Sequence, residues 1–354
     1  MPKRYDERAT PSHIREGTMR ELTVAAETDV MIWNGVAVDR GRVFVSGPRW
    51  AGTGAPAVAR IDAGNTLLPY PGAAWNAWQP GADPRGAFVN VNAIHHDGAR
   101  GLWIVDTGTP AFGGDAVPGA TKIVHVDLDR DAVVRTYPLG PDVVRPGTYT
   151  DDIRIHGGNG YITDAGNAGL IVLDLSTGAA RRVLDGHPAA IAPPDRPIVV
   201  DGDTLYAPDG SLARIQSDPL ELSPDGAWLC FGPLEGPWSR VPTRALDDPS
   251  LSSAELAALV EPWADLPPIG GSAMDADGSL YFTDLAACAL KRRAPDGTIT
   301  TLVRDGRLHW VDAPFIDDAR TIWLPTPQLD RVALFHHGTS QVQWPVRLYR
   351  FSLD

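Results

Sequence analysis

Residues 148–175, TYTDDIRIHGGNGYITDAGNAGLIVLDL, contain the pattern that decides the fold. Two acids, Asp151 and Asp152, precede a run of alternating apolar and polar residues, a Gly/Asn turn follows, and a second run ends on Asp164. Alternation with a period of two is typical of a β-strand with one buried face, and the turn joins two such strands. The pattern predicts a hairpin that begins with two adjacent carboxylates, which repel each other and lose solvation when buried.

The same pattern recurs along the chain. Its six copies begin at residues 34, 92, 151, 218, 270 and 312, with spacings of 58, 59, 67, 52 and 42 residues. Further strand-like runs, such as KIVHVDL, GLIVLDL and ALKRRAP, lie between the copies. About four strands repeated six times predict an all-β fold, a six-bladed β-propeller with four-stranded blades around a central channel. The alternative is a large β-sandwich or two β domains, which six matched copies do not favour.

The domain organisation follows from the two ends of this repeat. RELTVAAE (20–27) and VRLYRFSLD (346–354) both have the pattern of strands, and we expect them to meet and close the ring. We therefore predict an N-terminal arm over 1–19 and a single propeller domain over 20–354. Helical periodicity is rare; its clearest example, SLSSAELAALVEPW (250–263), predicts a helix inserted between strands and capped by Ser252 or Ser253.

Composition excludes several classes of function. The 354 residues carry a net charge of −13 with no basic stripe, so we expect no nucleic-acid partner. The first residues, MPKRYDERATPSHIREG, lack the apolar core of a signal peptide, and no apolar run approaches the ~18 residues of a membrane span. The two cysteines, Cys230 and Cys288, fit a reducing cytoplasm, and we expect each to be a small buried apolar residue. We expect a cytoplasmic monomer or weak homo-oligomer with no organic cofactor, since no GxSxG, P-loop, HExxH or CxxC signature is present.

The residues that open the six copies are the first candidates for a functional site. The innermost strand of a propeller blade lines the channel, so these strand-head residues should lie together at one end of it. They are Asn34, Asn92, Asp151, Asp218, Gly270 and Asp312. Five of the six carry a side-chain oxygen. One interpretation is that Asp and Asn cap the loop backbone.

The other interpretation is a ring of oxygens around a cation, because three carboxylates facing one channel repel one another unless a cation or a shared proton relieves them. We expect metal ligands at Asn34, Asn92, Asp151 and Asp218. An all-oxygen set favours Ca²⁺, then Mg²⁺ or Mn²⁺, over Zn²⁺.

Other residues should reach the same end of the channel. The turn after the second strand of each copy returns to that face, which predicts Arg49 and Trp50 as substrate-binding residues together with Trp310. His95 and His96 lie within a strand and point to opposite faces, so one of them should line the channel; we assign His95 to substrate binding. The acids that end the second strands, in WIVDTG, YITDAG and YFTDLA, are better explained as turn caps.

Several segments resemble the major royal jelly/yellow protein family, in particular its bacterial members. They include NGVAVDRGRVFVSGPRW, GLWIVDTG, KIVHVDL, YTDDIRI, YITDAGNAGLIVLDL, LELSPDGAWLCF and LVRDGRLHWVDAPFID. The resemblance runs from about residue 30 to 330 and implies a six-bladed propeller. Some yellow proteins are linked to dopachrome isomerisation, whereas other relatives are storage or binding proteins.

A more distant similarity is to the gluconolactonase/senescence-marker propellers, which hold a divalent metal with one Glu, two Asn and one Asp. Asn34, Asn92, Asp151 and Asp218 occupy comparable strand-head positions here, whereas the leading Glu is absent.

These observations predict a metal-assisted isomerase, tautomerase or cyclase of a small polar metabolite. Asp151, Asp152 and Asp312 are the expected proton-transfer residues. The alternatives are a lactonase-like hydrolase and a propeller that binds a ligand or protein without catalysis.

Overall fold

Six antiparallel four-stranded sheets form the blades of a propeller in the computed structural model, which describes residues 21–52 and 56–354. The N-terminal strand is β1 (Thr23–Thr28). Blade one is β2 (Gly35–Asp39), β3 (Arg42–Ser46), β4 (Val58–Asp62) and β5 (Thr66–Pro69). Blade two is β6 (Val91–His96), β7 (Gly101–Asp106), β8 (Lys122–Asp127) and β9 (Ala132–Pro138). Blade three is β10 (Thr150–His156), β11 (Asn159–Asp164), β12 (Gly169–Asp174) and β13 (Ala180–Val183).

A two-stranded hairpin, β14 (Val199–Val200) and β15 (Asp203–Thr204), separates blades three and four. Blade four is β16 (Ser217–Leu222), β17 (Trp228–Pro233), β18 (Trp238–Pro242) and β19 (Glu261–Ala264). Blade five is β20 (Ile269–Met274), β21 (Leu280–Asp284), β22 (Ala289–Arg293) and β23 (Ile299–Arg304). Blade six takes β24 (Phe315–Ile316), β25 (Thr321–Thr326) and β26 (Val346–Ser352) from the C-terminal end of the chain.

The ring is closed by both ends of the chain. β1 pairs antiparallel with β26, so the N-terminal strand is the outermost strand of blade six. The innermost strands β2, β6, β10, β16, β20 and β24 each contact the next, and β24 contacts β2. The predicted six-bladed fold is confirmed, and the two terminal segments pair as expected. The arm predicted over residues 1–19 lies outside the described residues.

Apolar side chains fill the spaces between blades because each sheet presents period-two rows of apolar residues to its neighbour. Between blades one and two, for example, Phe44 packs with Ile94 and Leu102, and all three are buried. Closing the ring places each sheet between two neighbours and so buries its apolar rows. This explains why strands with period-two apolar patterns form one closed ring here.

Acids at the ends of second strands tie each blade to its own loops. Asp164 accepts hydrogen bonds from the backbone amides of Tyr149, Gly166 and Asn167 and pairs with Arg182 at 2.7 Å. Asp106 and Asp284 form equivalent pairs with Lys122 and Lys291. The interpretation of these acids as turn caps is confirmed, because each is buried and satisfied by amides and a cation.

The helix predicted over residues 250–263 is wrong in extent. The chain forms two short helices, α1 (Thr243–Asp247) and α2 (Ser253–Ala257), and residues 261–264 belong to β19. Ser252 and Glu255 form a reciprocal capping box at the start of α2, so the capping signal was correct. The segment ends early because Glu261, Pro262 and Ala264 pair with β18 as the outer strand of blade four. No helix within the described residues is long and apolar enough to cross a membrane.

Candidate functional site

The strand-head residues converge inside the channel. One cavity on the channel axis is lined by the full set, Asn34, Asn92, Asp151, Asp218, Gly270 and Asp312. They meet because every inner strand begins at the same face of the ring and runs in the same direction. The position of blade five is a glycine for a steric reason: a Cβ at Gly270 would lie 2.1 Å from the Val311 carbonyl oxygen.

Three of these residues form a group of carboxyls without a cationic partner. Among the described residues, no Lys, Arg or His forms an ion pair with Asp151, Asp218 or Asp312. Burial raises the pKa of Asp151 well above its usual value, and the nearby Asp218 and Asp312 raise it further. Burial, followed by the charges of Asp152 and Glu235, raises the pKa of Asp218 to about 8. The pKa of Asp312 is likewise held well above its usual value, first by burial and then by Asp218.

Asp151 and Asp218 act as a pair. Their carboxyls are in hydrogen-bonding contact, and this contact raises the pKa of Asp151 while it lowers that of Asp218. The two carboxyls therefore titrate as one coupled unit. Such a pair holds one proton over a wide pH range, because two adjacent buried carboxylates cannot both ionise at low cost.

The two strand-head asparagines link neighbouring blades. The Asn34 amide donates to the backbone carbonyl of Asn92 at 2.7 Å, and the Asn92 amide donates to Asp151 Oδ1 at 2.5 Å. The Asn92 oxygen accepts a hydrogen bond from the Tyr149 hydroxyl at 2.8 Å. Both amides thus direct their nitrogens toward the next blade. For Asn34 and Asn92 the arrangement matches the backbone-capping interpretation.

A cation would fit the carboxyl members of the predicted ligand set. Asp151, Asp218 and Asp312 border the same cavity, and the last of these was predicted as a catalytic residue rather than a ligand. All three offer hard oxygen atoms, which Ca²⁺, Mg²⁺ and Mn²⁺ prefer. Asn34 and Asn92 would have to turn their amide oxygens inward to join them.

Above the acids, aromatic and apolar side chains form the walls of a small cavity of about 40 Å³, which we call the strand-head mouth. Its lining comprises Trp50, Asn92, Phe112, Tyr149, Asp151, Ile215, Asp218, Leu234, Gly270, Trp310, Asp312, Leu329 and Phe335. The predicted residues Trp50 and Trp310 are both in this wall. An apolar wall over a few convergent polar groups is the usual form of a small-molecule site.

Tyr149 is a residue of this site that the sequence interpretation missed. Its hydroxyl accepts a hydrogen bond from Trp50 Nε1 at 2.7 Å and donates to Asn92 Oδ1. Burial raises its pKa well above the usual value, and the negative charge of Asp151 adds to this effect. The available signal was its position two residues before Asp151, on the loop that enters the channel.

Arg49 occupies a different place from the one predicted. Its Nε donates to the Val89 carbonyl at 2.9 Å, and its guanidinium lies 5.6 Å from the centre of the Trp78 ring. It is not part of the lining of the strand-head mouth, although its neighbour Trp50 is. The expectation that Arg49 faces the substrate is therefore wrong for this conformation, since its guanidinium is used between blades one and two.

Asp152 and His95 lie farther along the channel. Asp152 pairs with Arg154 at 2.6 Å, and Arg154 also pairs with Glu221 at 3.0 Å. Burial is the main cause that raises the pKa of Asp152, and Arg154 opposes it. Arg154 thus links the inner strands of blades three and four, β10 and β16, below the strand heads.

Beyond Arg154 the channel opens into a second cavity of about 450 Å³, the opposite mouth. His95, His96, Arg100, Ser272, Phe315 and Asp318 are among its lining residues. Burial lowers the pKa of His95 well below its usual value, so this ring is neutral at neutral pH. His95 lines the channel as expected, but at the end opposite Trp50 and Trp310.

Comparison with known proteins agrees with this architecture. No curated protein matches the sequence. A streptogramin B lyase structure superposes with a TM-score of 0.55 at 11% identity, covering 95% of this chain and 98% of that chain. The selenomethionine-substituted virginiamycin B lyase from Staphylococcus aureus gives a TM-score of 0.51 at 13% identity, covering 95% of this chain and 100% of that chain. At these identities the likeness concerns the fold alone.

A sequence profile gives the family. The profile described as major royal jelly protein matches residues 89–350, from the end of the loop before blade two to the last strand. This range includes five of the six strand heads and all three channel acids, Asp151, Asp218 and Asp312. The chain belongs to the major royal jelly protein family.

Proposed function

We propose that the protein is an enzyme that isomerises or tautomerises a small polar metabolite at the strand-head mouth. The observation that carries the proposal is the carboxyl pair of Asp151 and Asp218 on the floor of an aromatic-walled cavity. Once the pair has lost one of its two protons, which the pKa of about 8 for Asp218 places at mildly alkaline pH, the same site offers a general acid and a general base.

The pair suits a 1,3-proton shift. In the singly protonated pair, the protonated carboxyl donates its proton to a substrate carbonyl oxygen, and the ionised carboxyl removes a proton from the adjacent carbon. The double bond moves from C=O to C=C, no atom is lost, and the pair again holds one proton. Asp312 lies beside the pair and helps to raise the pKa of Asp151. Trp50 and Trp310 hold the substrate against the carboxyls.

A divalent cation, with Ca²⁺ the first candidate, is the alternative to the shared proton at this site. Asp151, Asp218 and Asp312 would hold it, and its chemistry would be to polarise the substrate oxygen that the protonated carboxyl otherwise protonates. The three carboxyls have no ion pair to a basic side chain within the described part of the chain, which is the observation that favours a cation.

Elemental analysis of the protein purified without chelator, followed by turnover assays, tests the proposal. The assays use keto/enol pairs and lactones, each with added Ca²⁺ and with EDTA. We expect keto–enol interconversion, and a loss of about 10²- to 10⁴-fold in Asp151→Asn and Asp218→Asn, the usual contribution of a general acid or base. Asp62→Asn is the matched control, because Asp62 is exposed at the end of β4.

Each other outcome selects a different function. Lactone hydrolysis that depends on the same acids would support a lactonase-like hydrolase. Ligand binding that both Asn variants weaken, without turnover of any compound, would support a non-catalytic binding propeller. Turnover unchanged in both variants would contradict the assignment of the site.

A further inference from the structure

A second group of potential metal ligands lies away from the channel acids. Asp201 is in the turn of the β14–β15 hairpin, Cys288 is in the turn between β21 and β22, and His309 precedes blade six. One ligand atom from each residue lies within 4.8 Å of the other two. The hairpin is held here because the Asp201 amide donates to the Leu285 carbonyl at 3.2 Å.

The histidine is oriented for coordination. His309 Nε2 lies 2.7 Å from Asp330 Oδ2, so the proton on Nε2 is donated to a carboxylate. This leaves the lone pair on Nδ1, which points toward Asp201 Oδ2 at 4.0 Å. His309 is 5% exposed, and its Nδ1 has no hydrogen-bond partner. A buried acceptor without a donor is costly, so this atom indicates a missing partner.

The thiol completes the group. Cys288 is 3% exposed, and its backbone has a positive φ of 45°. Its sulfur lies 4.0 Å from the Leu285 carbonyl, which is a weak interaction, and the Asp201 carboxylate also lies beside the thiol. A buried thiol and a lone-pair nitrogen therefore face the same carboxylate without satisfying one another.

We propose that Asp201, Cys288 and His309 bind a Zn²⁺ ion, with Asp330 orienting the histidine. Carboxylate, thiolate and imidazole are all zinc ligands, and a carboxylate on the second ring nitrogen is the usual support of a zinc-bound histidine. Ligand atoms of a tetrahedral zinc site are roughly 3.3–3.8 Å apart, as follows from zinc–ligand bonds of about 2.0–2.3 Å. Because the ligand atoms lie within 4.8 Å of one another, each pair would have to approach by at most about 1.5 Å.

The environment provides an entry path and a fourth ligand. Asp201, His309 and Asp330 border an open cavity that also contains Arg331 and His337. The Asp201 side chain is 60% exposed, so a hydrated ion can reach the site from this cavity. Three protein ligands with a solvent-facing fourth position is the arrangement of a zinc site that retains water.

This assignment differs from the sequence expectation for Cys288, which was a small buried apolar residue. The burial is confirmed, but the neighbours are polar. A thiol nucleophile fits less well: burial, followed by the charge of Asp201, raises the pKa of the Cys288 thiol to about 11. The thiol is then protonated at neutral pH unless a metal replaces the proton.

Titration of the full-length protein with Co²⁺ and Zn²⁺ tests the site. Co²⁺ bound by a thiolate gives an intense near-ultraviolet charge-transfer band, which the oxygen ligands of the channel cannot produce. We expect this band at one Co²⁺ per chain in the wild type, its displacement by Zn²⁺, and its loss in Cys288→Ser. Cys230→Ser is the matched control, because Cys230 is also buried but lies in β17. The band should also persist in Asp218→Asn, which separates this site from the channel.

Two further measurements do not depend on the folding of Cys288→Ser. Asp330→Asn should keep the band but lower Zn²⁺ affinity about 10- to 100-fold, the usual effect of a lost outer carboxylate. In the unmutated protein, Zn²⁺ should slow the reaction of Cys288 with a thiol reagent and leave Cys230 unaffected, as read by peptide mapping. Absence of the band in the wild type, its retention in Cys288→Ser, or equal modification of Cys288 with and without Zn²⁺ would overturn the proposal.

Discussion

The hydroxyl of Tyr149 donates to the amide oxygen of Asn92 across the boundary between blades two and three, at 2.8 Å. This bond fixes which way the Asn92 amide faces, so its nitrogen is directed to Asp151. Since the same hydroxyl accepts from Trp50, one side chain joins the wall of the strand-head mouth to its acidic floor. The position of the Asp151 carboxyl therefore depends on a residue outside the ring of strand heads.

Replacing Tyr149 by Phe should weaken both the fold and the site. The change removes three hydrogen bonds, one of them long, and we expect the free energy of unfolding to fall by about 1–3 kcal/mol. Ligand affinity should also fall, because the Asn92 amide is free to rotate. Urea unfolding and ligand titration measure the two effects. Tyr206→Phe is the control, since Tyr206 is 53% exposed, and an equal loss in both variants would contradict this role.

The carboxyl pair predicts a pH dependence of stability. The folded protein raises the pKa of Asp218 from 3.8 to about 8, so between these values it retains a proton that the unfolded chain has released. The free energy of unfolding must therefore fall as pH rises through this range, by at most about 1.4 kcal/mol per pH unit for each proton. Asp218→Asn should flatten that part of the profile and stabilise the protein near pH 8.

Urea unfolding of the wild type and Asp218→Asn in the presence of EDTA gives the two profiles. Glu235, whose pKa burial raises to about 7, titrates in both proteins, so the difference between the profiles reports Asp218 together with Asp151 and Asp312, whose pKa values it raises. The exposed variant Asp62→Asn should follow the wild type. Parallel profiles for the wild type and Asp218→Asn would show that Asp218 ionises normally in the folded protein.

Replacing Arg154 should lower the free energy of unfolding more than replacing most other charged residues. Its guanidinium is 13% exposed and compensates both Asp152 and Glu221. Arg154→Met leaves these two acids buried without a cation, and we expect a loss of about 3–5 kcal/mol in the free energy of unfolding. Arg240→Met is the matched control: Arg240 and Glu261 are 35% and 45% exposed, so below about 1 kcal/mol should be lost. Similar losses in the two variants would argue against a buried network in the channel.

The closure of the ring gives a prediction within a single strand. Ala26 and Val24 both belong to β1, but Ala26 is 5% exposed whereas Val24 is 46% exposed. Ala26→Asp buries a charge beside β26, so we expect several kcal/mol of destabilisation or failure to fold. Val24→Asp introduces the same side chain at the surface and should cost about 1 kcal/mol or less. Thermal unfolding of both variants measures this, and a mild effect of Ala26→Asp would mean that β1 is dispensable for closure.

Much of the fold was predictable because its signal is local and repeated. Period-two runs, turn residues and six matching strand heads together allow only a few architectures, and the ring then places Asp151, Asp218 and Asp312 together. Trp50 and Trp310 were predictable for the same reason, since their loops enter on the same face.

The remaining site residues depend on contacts between blades that no local pattern encodes. Arg49 adjoins Trp50 in sequence, but adjacent side chains point in different directions and its guanidinium is used by the Val89 carbonyl. His95 lies three residues beyond Asn92, which at about 3.3 Å per residue moves it roughly 10 Å along the channel. The group of Asp201, Cys288 and His309 requires the inserted β14–β15 hairpin to contact blade five.

The most direct test of the central claim compares the two mouths of the channel. Asp218 faces the strand-head mouth, and Asp318 faces the opposite mouth. For the compound that shows turnover or the tightest binding, kinetics or calorimetry should be measured for Asp218→Asn and Asp318→Asn. We predict a loss of about 10²-fold or more in turnover for Asp218→Asn and wild-type behaviour for Asp318→Asn. Wild-type behaviour of Asp218→Asn together with a loss in Asp318→Asn would place the site at the opposite mouth and contradict the account.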